Sequence, residues 1–344
     1  MIVLSERWGK RSRTQWNLAN SALCAAIQSG FWPVTFWPVT SMLRVGASVR
    51  IARFDDDRVG LVVGESIVDV TDVVEVSPGH WPPVGTVQLI AQFDRLRPAL
   101  ESALASRERH PISGVRLLTP IPWPSKVIAY PVNYHDHGHE MQASYRASNQ
   151  GFFLKPPSSL SGPADPVVLP ANPSREVHHE SELAIVIGRT ARDIDAADWQ
   201  RYVFGYACLL DMVVRGREER VFRKAFDTFC PVGPWIVTAD EVSDPASLGM
   251  RLWVNDELRQ EANTRDLVLD IPGMVEMASA VMTLHPGDII ATGTPAGVGP
   301  VVDGDVIRIA IDQVGEMSVP VQQGISGHTP VFDTPYTPDI VKQR

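Results

Sequence analysis

From Met42 the chain reads MLRVGASVRIARFDDDRVGLVVGESIVDV, apolar and polar positions alternating between Asp-rich and Gly-containing turns. Side chains of a strand point to its two faces in turn, so this period predicts short antiparallel strands over residues 48–70. The loop VVEVSPGHWPPVG follows, then VQLIAQFDRLRPALESALASRERH, whose apolar spacing predicts a helix interrupted near Pro98. Together these elements predict a small β-rich domain over residues 42–120. Beyond the proline-rich TPIPWPSK, the apolar strand VIAYPVNY ends in the polar HDHGHE and opens a second domain over residues 121–326. Later runs, ELAIVIG, YVFGYACLLD, PWIVTADE, MRLWVNDELRQ, GDIIATGTP and DVIRIAI, are mostly short, β-branched and separated by Gly, Pro or Asp. Helical period appears mainly in AADWQRYV and IPGMVEMASAVMTL. The expected class is therefore α+β, mainly β, without a regular βαβ alternation. Residues 327–344 read as a C-terminal tail.

Residues 1–41 break this pattern. Their apolar patches are interrupted by Gln28, Pro33, Pro38 and the direct repeat FWPVTFWPVT, which argues against a spanning helix. Glu6 in the charged region and the late apolar stretch also fit a signal peptide poorly. The expectation is an extension outside the fold. The net charge of −9 comes with no basic block, which points away from nucleic acid and anionic membranes and toward a small-molecule partner. Cys24, Cys208 and Cys230 are few and widely spaced, as suits a reducing cytoplasm rather than a disulfide framework.

The stretch EVHHESELAIVIG, residues 176–188, runs ionisable groups directly into an apolar strand. Buried carboxylates without partners cost several kcal/mol or more, so a cation, a hydrogen-bond network or open water is required nearby. On a strand Glu180 and Glu182 point the same way, about 6.6 Å apart at Cα, with His178 on their face and His179 and Ser181 on the other. Asp211 ends the apolar run YVFGYACLLD. Three hard oxygen donors suit Mg²⁺ or Mn²⁺ with positions left for water and a chelating substrate; solvated strand ends or salt-bridge partners would look the same in the text. His137 and Glu140, three apart, share a face if YHDHGHEM is helical, and a carboxylate that orients an imidazole makes it a better base. A surface pair is the plainer reading. Alternation of His135, His137 and His139 on a strand would instead resemble a zinc motif, but the chain lacks the eight strand–helix pairs of the barrel that carries it. Lys224, among Phe222, Phe226 and Phe229, is expected to have a lowered pKa from desolvation if it is not simply an exposed loop lysine. Cys230 precedes proline with no histidine close in sequence and reads as structural. GDIIATGTPAGVG is a strand and a Gly-rich turn whose free N–H groups could hold an anion; an ordinary loop is the default.

In order along the chain, NYHDHGHEM, GFFLKPPSSLSGP, HHESELAIVIG, FGYACLLDMVVRG, KAFDTFCPVGPW, LWVNDELRQ, MTLHPGDIIATGTPAGVG and GDVIRIAI resemble the fumarylacetoacetate hydrolase family over roughly Val127 to Val321. The resemblance implies a mixed β-roll catalytic domain, usually a homodimer, with Mg²⁺ or Mn²⁺ on Glu180, Glu182 and Asp211. It also implies His137 with Glu140 as the base, Lys224 stabilising developing negative charge, and Arg215, Thr294 and Lys155 near the substrate. The segment between Asp211 and Lys224 is shorter than in many members, and Gly216 replaces a common acid. The activity expected is hydrolytic carbon–carbon cleavage of an acylpyruvate or related β-diketo acid. Decarboxylation or isomerisation of a 2-oxo dicarboxylic acid is the chemical alternative, and a non-catalytic metal-binding scaffold the alternative of another class. Retention of acids and base together speaks against the scaffold.

Overall fold

The computed structural model describes residues 49–336 apart from 142 and 173. The extension expected at residues 1–41 and the end of the tail, 337–344, lie outside them. All described residues fall in one compact unit, Ala47–Arg344. Its fold is α+β and mainly β, as the alternation predicts.

Strands β1 (Arg50–Phe54), β2 (Arg58–Val63) and β3 (Ser66–Asp69) form the expected antiparallel meander. Helices α1 (Gly85–Ala91) and α2 (Phe93–Ser106) follow. The helix breaks at Gln92 and not near Pro98, which lies inside α2. The break lets Leu89 of α1 and Leu96, Leu100 and Ala103 of α2 bury together in the core under the meander; that packing outweighs the one backbone bond a proline removes.

The second half supplies β4 (Val127–Ala129), α3 (His135–Glu140), β5 (Phe153–Lys155), β6 (Val177–His179), β7 (Ser181–Ile187), β8 (Val203–Leu210), β9 (Val213–Val214), α4 (Arg220–Lys224) and β10 (Cys230–Thr238). It continues with β11 (Gly249–Val254), β12 (Glu257–Asn263), α5 (Ile271–Val281), β13 (Ile289–Ala291), β14 (Gly299–Val301), β15 (Val306–Ile311) and β16 (Gly315–Gln323). The large sheet runs β3-β2-β1-β10-β8-β7-β13-β4-β5 along its main path, so the amino-terminal meander joins the second half edge to edge through β1 and β10. A small sheet orders β9-β6-β14, and a third contains β12-β11-β15-β16. AADWQRYV forms a 3₁₀ helix over Ala196–Arg201 rather than an α-helix.

Every residue of β7 is buried. Leu183, Ile185 and Ile187 enter one apolar cluster and Ala184 and Val186 another, while β8 divides Cys208 and Leu210 from Ala207 and Leu209 in the same way. A strand covered on both faces has no polar phase, which is why ELAIVIG reads as an unbroken apolar run. Each large side chain so buried stabilises by about 1.5–3 kcal/mol, giving the ends of these strands a rigid base. Among the described residues no helix is long and apolar enough to cross a membrane. Phe332, in the segment expected as tail, is fully buried in the main core.

Candidate active site

Strand register assembles the acids. β7 and β8 are antiparallel with Ser181 opposite Leu210 and Glu182 opposite Leu209. One step further Asp211 faces Glu180, and its N–H donates to the Glu180 carbonyl at 2.9 Å. Directly opposed residues share a face, as do positions i and i+2, so Glu180, Glu182 and Asp211 converge. One oxygen from each lies within 4.8 Å of the others, and all three residues are buried.

Charges around the acids are unevenly shared. Lys224 Nζ donates to Glu180 Oε2 at 2.7 Å and Asp211 Oδ2 at 2.6 Å. Lys155 Nζ donates to Asp211 Oδ1 at 2.5 Å and to the carbonyls of Lys224 and Phe229. Burial works against the Asp211 carboxylate, but the two ammonium groups outweigh it and hold it below the ordinary range. Burial likewise works against charge on Lys224, yet Asp211 and Glu180 raise it above the usual lysine value. This corrects the expectation of a lowered Lys224 pKa: the desolvation is real, but two carboxylates in contact exceed it. Among the described residues no lysine pairs with Glu182, which accepts the Gly293 N–H at 2.7 Å. Burial, then the neighbouring Asp211 charge, push its carboxyl well above the usual range. The two ammonium groups serve Glu180 and Asp211 and leave Glu182 without a counter-charge, which is why its carboxyl resists ionisation; hard oxygen donors at this spacing fit a divalent cation that would supply that charge.

His137 lies on α3 with Nδ1 3.0 Å from Glu140 Oε2. Glu140 Oε1 accepts the Gly297 N–H at 3.0 Å. Burial tends to raise the Glu140 carboxyl, but the bonds from His137 and Gly297 prevail and leave it below its ordinary value. Since Glu140 takes the Nδ1 proton, Nε2 is the free acceptor by this assignment of the network. His135 and His139 are exposed, and helix has replaced the strand that a zinc reading of the three histidines needed.

The Gly-rich turn after β13 does hold anions, and they are the protein's own. Pairing of Ala184 with Ala291 brings Gly293 opposite Glu182, so its N–H meets that carboxylate while Gly297 meets Glu140. Gly293 has φ +94°, and a Cβ there would stand 2.7 Å from Asn133 Cβ and 3.0 Å from the Tyr130 carbonyl.

His137, Glu180, Glu182, Asp211, Arg215, Lys224 and Thr294 line one cavity of ≈ 90 Å³. Lys155 is fully buried behind Asp211, off this wall. A larger open depression of ≈ 670 Å³ on the amino-terminal strands has its arginines, Arg58 and Arg107, paired with Asp69 and Asp72 and contains no part of this cluster. Cys230 is a buried thiol pushed up to about 12 by desolvation, in keeping with a structural role.

Several contributors escaped the sequence reading. Tyr145, Arg220 and Arg223 also line the cavity; the only trace in the text is the charge-rich RGREERVFRK. Asn133 donates to the Leu269 and Thr292 carbonyls and accepts from Leu269 N, tying the end of β4 to the Gly-rich turn. Gln260 accepts from Ser181 N at 3.0 Å and donates to Thr294 Oγ1 at 2.9 Å, joining β7 to the turn. It is the one fully buried position of β12, where an apolar residue is the default.

Carboxylates spaced for a cation, with an imidazole base opening on the same small cavity, define a site for chemistry on a small anion. Residues 126–322 match the sequence model of the fumarylacetoacetate (FAA) hydrolase C-terminal family, and the chain belongs to that family. Maleylpyruvate hydrolase of Aquipseudomonas alcaligenes is 42% identical over 286 residues, covering 80% of this chain and 99% of the relative. The crystal structure of maleylpyruvate hydrolase from Sphingobium sp. SYK-6, in complex with manganese(II) ion and pyruvate, is 66% identical with a TM-score of 0.75, over 80% of this chain and 99% of the other. That of 2-hydroxyhepta-2,4-diene-1,7-dioate isomerase from Mycobacterium marinum is 35% identical with a TM-score of 0.63, over 81% and 100%.

Proposed function

We propose that this protein is a metal-dependent hydrolase that cleaves the carbon–carbon bond of an acylpyruvate, with maleylpyruvate as the substrate to test first. The observation that carries the reading is the meeting of the His137–Glu140 pair and the Glu180, Glu182, Asp211 triad on one cavity. The likeness to two maleylpyruvate hydrolases, one solved with manganese and pyruvate, supports the choice of substrate and of Mn²⁺ or Mg²⁺. The family resemblance supports a homodimer, and the few, widely spaced cysteines support a reducing cytoplasm.

When bound at the triad, the divalent ion supplies Lewis-acid polarisation of the 2-oxo acid and a positive field for developing charge. Nε2 of His137 takes a proton from water, whose oxygen then bonds to the distal carbonyl carbon. Glu140, fixed by Gly297, holds the imidazole in the accepting tautomer and stabilises its protonated form. The bond between the methylene and that carbonyl carbon breaks with its electron pair passing to the methylene carbon. Reprotonation there yields pyruvate, and the other fragment leaves as a carboxylic acid. Lys224 keeps a positive charge beside this carbanion while orienting Glu180 and Asp211.

The test is product analysis on maleylpyruvate in ¹⁸O-water, with protein stripped by EDTA and reloaded with Mn²⁺ or Mg²⁺. Maleate labelled in one carboxyl, pyruvate in equal amount and strict metal dependence are expected. Decarboxylation or isomerisation without cleavage would overturn the reading, as would full activity without metal.

A further inference from the structure

Resting on the acylpyruvate reading, we propose that Arg220 binds a second carboxylate at the far end of the acyl group, so that the site selects dicarboxylic over neutral acylpyruvates. Arg215, Arg220 and Arg223 all present guanidinium groups to the cavity. Among the described residues none of the three forms an ion pair with a carboxylate, although triad acids stand on the same wall. Arg223 donates from Nε and Nη1 to the Glu218 and Val214 carbonyls and so braces the loop after β9. Arg215 donates to the Met141 sulfur at 3.4 Å and follows Asp211 by four residues, next to the triad.

Arg220 differs from both in its surroundings. Its guanidinium lies 5.2 Å from the Phe153 ring centre and 5.6 Å from that of Tyr145, and one nitrogen donates to Tyr145 Oη at 2.9 Å. Two aromatic rings and one hydroxyl restrict the group and displace part of its water, while its other N–H donors stay available. A half-buried cation prepared in this way calls for an anion, and a guanidinium fork matches a carboxylate with two parallel bonds. Position on the helix sets the distance. Arg220 opens α4 and Lys224 closes it at the triad, so the two share a face about 6 Å apart along the axis. That span suits an acyl tail of a few carbons whose head is held at the triad and whose carboxylate is held at Arg220.

The experiment compares Mn²⁺-loaded wild type, Arg220→Gln and Arg220→Lys on maleylpyruvate and on acetylpyruvate, whose acyl group carries no charge. The ratio of kcat/KM for the two substrates is expected to fall about 10- to 100-fold in Arg220→Gln, the usual worth of a hydrogen-bonded charge. Arg220→Lys, keeping charge without the fork, should lie between. Binding of maleate by calorimetry is measured on the same proteins, because it retains two carboxylates and needs no turnover. An unchanged ratio together with unchanged maleate affinity overturns the assignment, and so does equal loss on both substrates. Should wild type turn over neither substrate, the hydrolase reading fails by itself. Maleate binding weakened in Arg220→Gln would then still support the carboxylate site, and equal binding would refute it.

Discussion

At the scale of single residues, His137 and Glu182 show how position changes what a common group can do. His137, a residue of the cavity wall, is held at Nδ1 by a carboxylate whose other oxygen is itself fixed by Gly297, which leaves Nε2 as the acceptor. His137→Ala should lower kcat about 10²- to 10⁴-fold, the usual worth of a general base. KM and Mn²⁺ affinity should change little, since neither depends on the imidazole; steady-state kinetics with metal titration checks this, and a near-normal kcat would remove His137 from water activation. At the end of β6, His179 is fully buried beside Gln260, and burial lowers its pKa from 6.5 to about 4. Because the unfolded chain binds this proton more readily, stability is fully present above pH 6.5 and is lost as pH falls toward 4. The full effect is about 3 kcal/mol. Denaturant midpoints at pH 7 and 4.5 should converge more for His179→Gln than for wild type; parallel losses would show that His179 is not responsible.

At the scale of elements, the Gly-rich turn after β13 ties Glu182 of the acidic triad to Glu140 of the His137 pair. One N–H meets Glu182 and another Glu140, and both glycines concerned have φ +94°. Gly293→Ala would force a Cβ against Asn133 and the Tyr130 carbonyl. The turn should shift and its bond to Glu182 weaken, lowering Mn²⁺ affinity by about 10- to 100-fold, as happens when a partner that orients a ligand is lost. Calorimetric titration of the variant provides the measurement, and wild-type affinity would mean that the turn does not orient Glu182. The alternation of Glu180 and Glu182 was legible because strand period is local. The participation of the turn was visible only as an unassigned capacity to hold an anion, since nothing local says which strand will lie opposite it.

At the scale of the whole molecule, the apolar clusters among the described residues start at Val49 and the site at Tyr130. β1 begins at Arg50 and joins the amino-terminal meander to the large sheet through β10. We therefore expect protein starting at Met42 to fold and turn over substrate as the full chain does. Melting temperature, oligomeric mass and kcat on the same substrate check it; insolubility or a changed oligomer would make residues 1–41 part of the fold. The boundary near residue 120 is less evident in three dimensions than in the text, because the first strand and β10 share backbone hydrogen bonds. Composition drops at a proline-rich segment, but sheet continuity depends on edges that sequence does not pair.

What the sequence determined by itself is whatever has a short period or a dense motif. The two faces of the Glu180–Glu182 strand, the helical approach of His137 to Glu140, the mainly β class and the family resemblance all follow from neighbours a few residues apart. Tertiary structure decided the rest. Register between β7 and β8 carried Asp211 to Glu180, and packing put Lys155 behind that aspartate instead of on the cavity wall. Contact with two acids turned the Lys224 pKa upward, and the fold brought Tyr145 and Phe153 around Arg220 from far along the chain. The physical reason is common to these cases: a charge or ring takes its properties from the groups that surround it in space, and their identity depends on long-range pairing that no local period encodes.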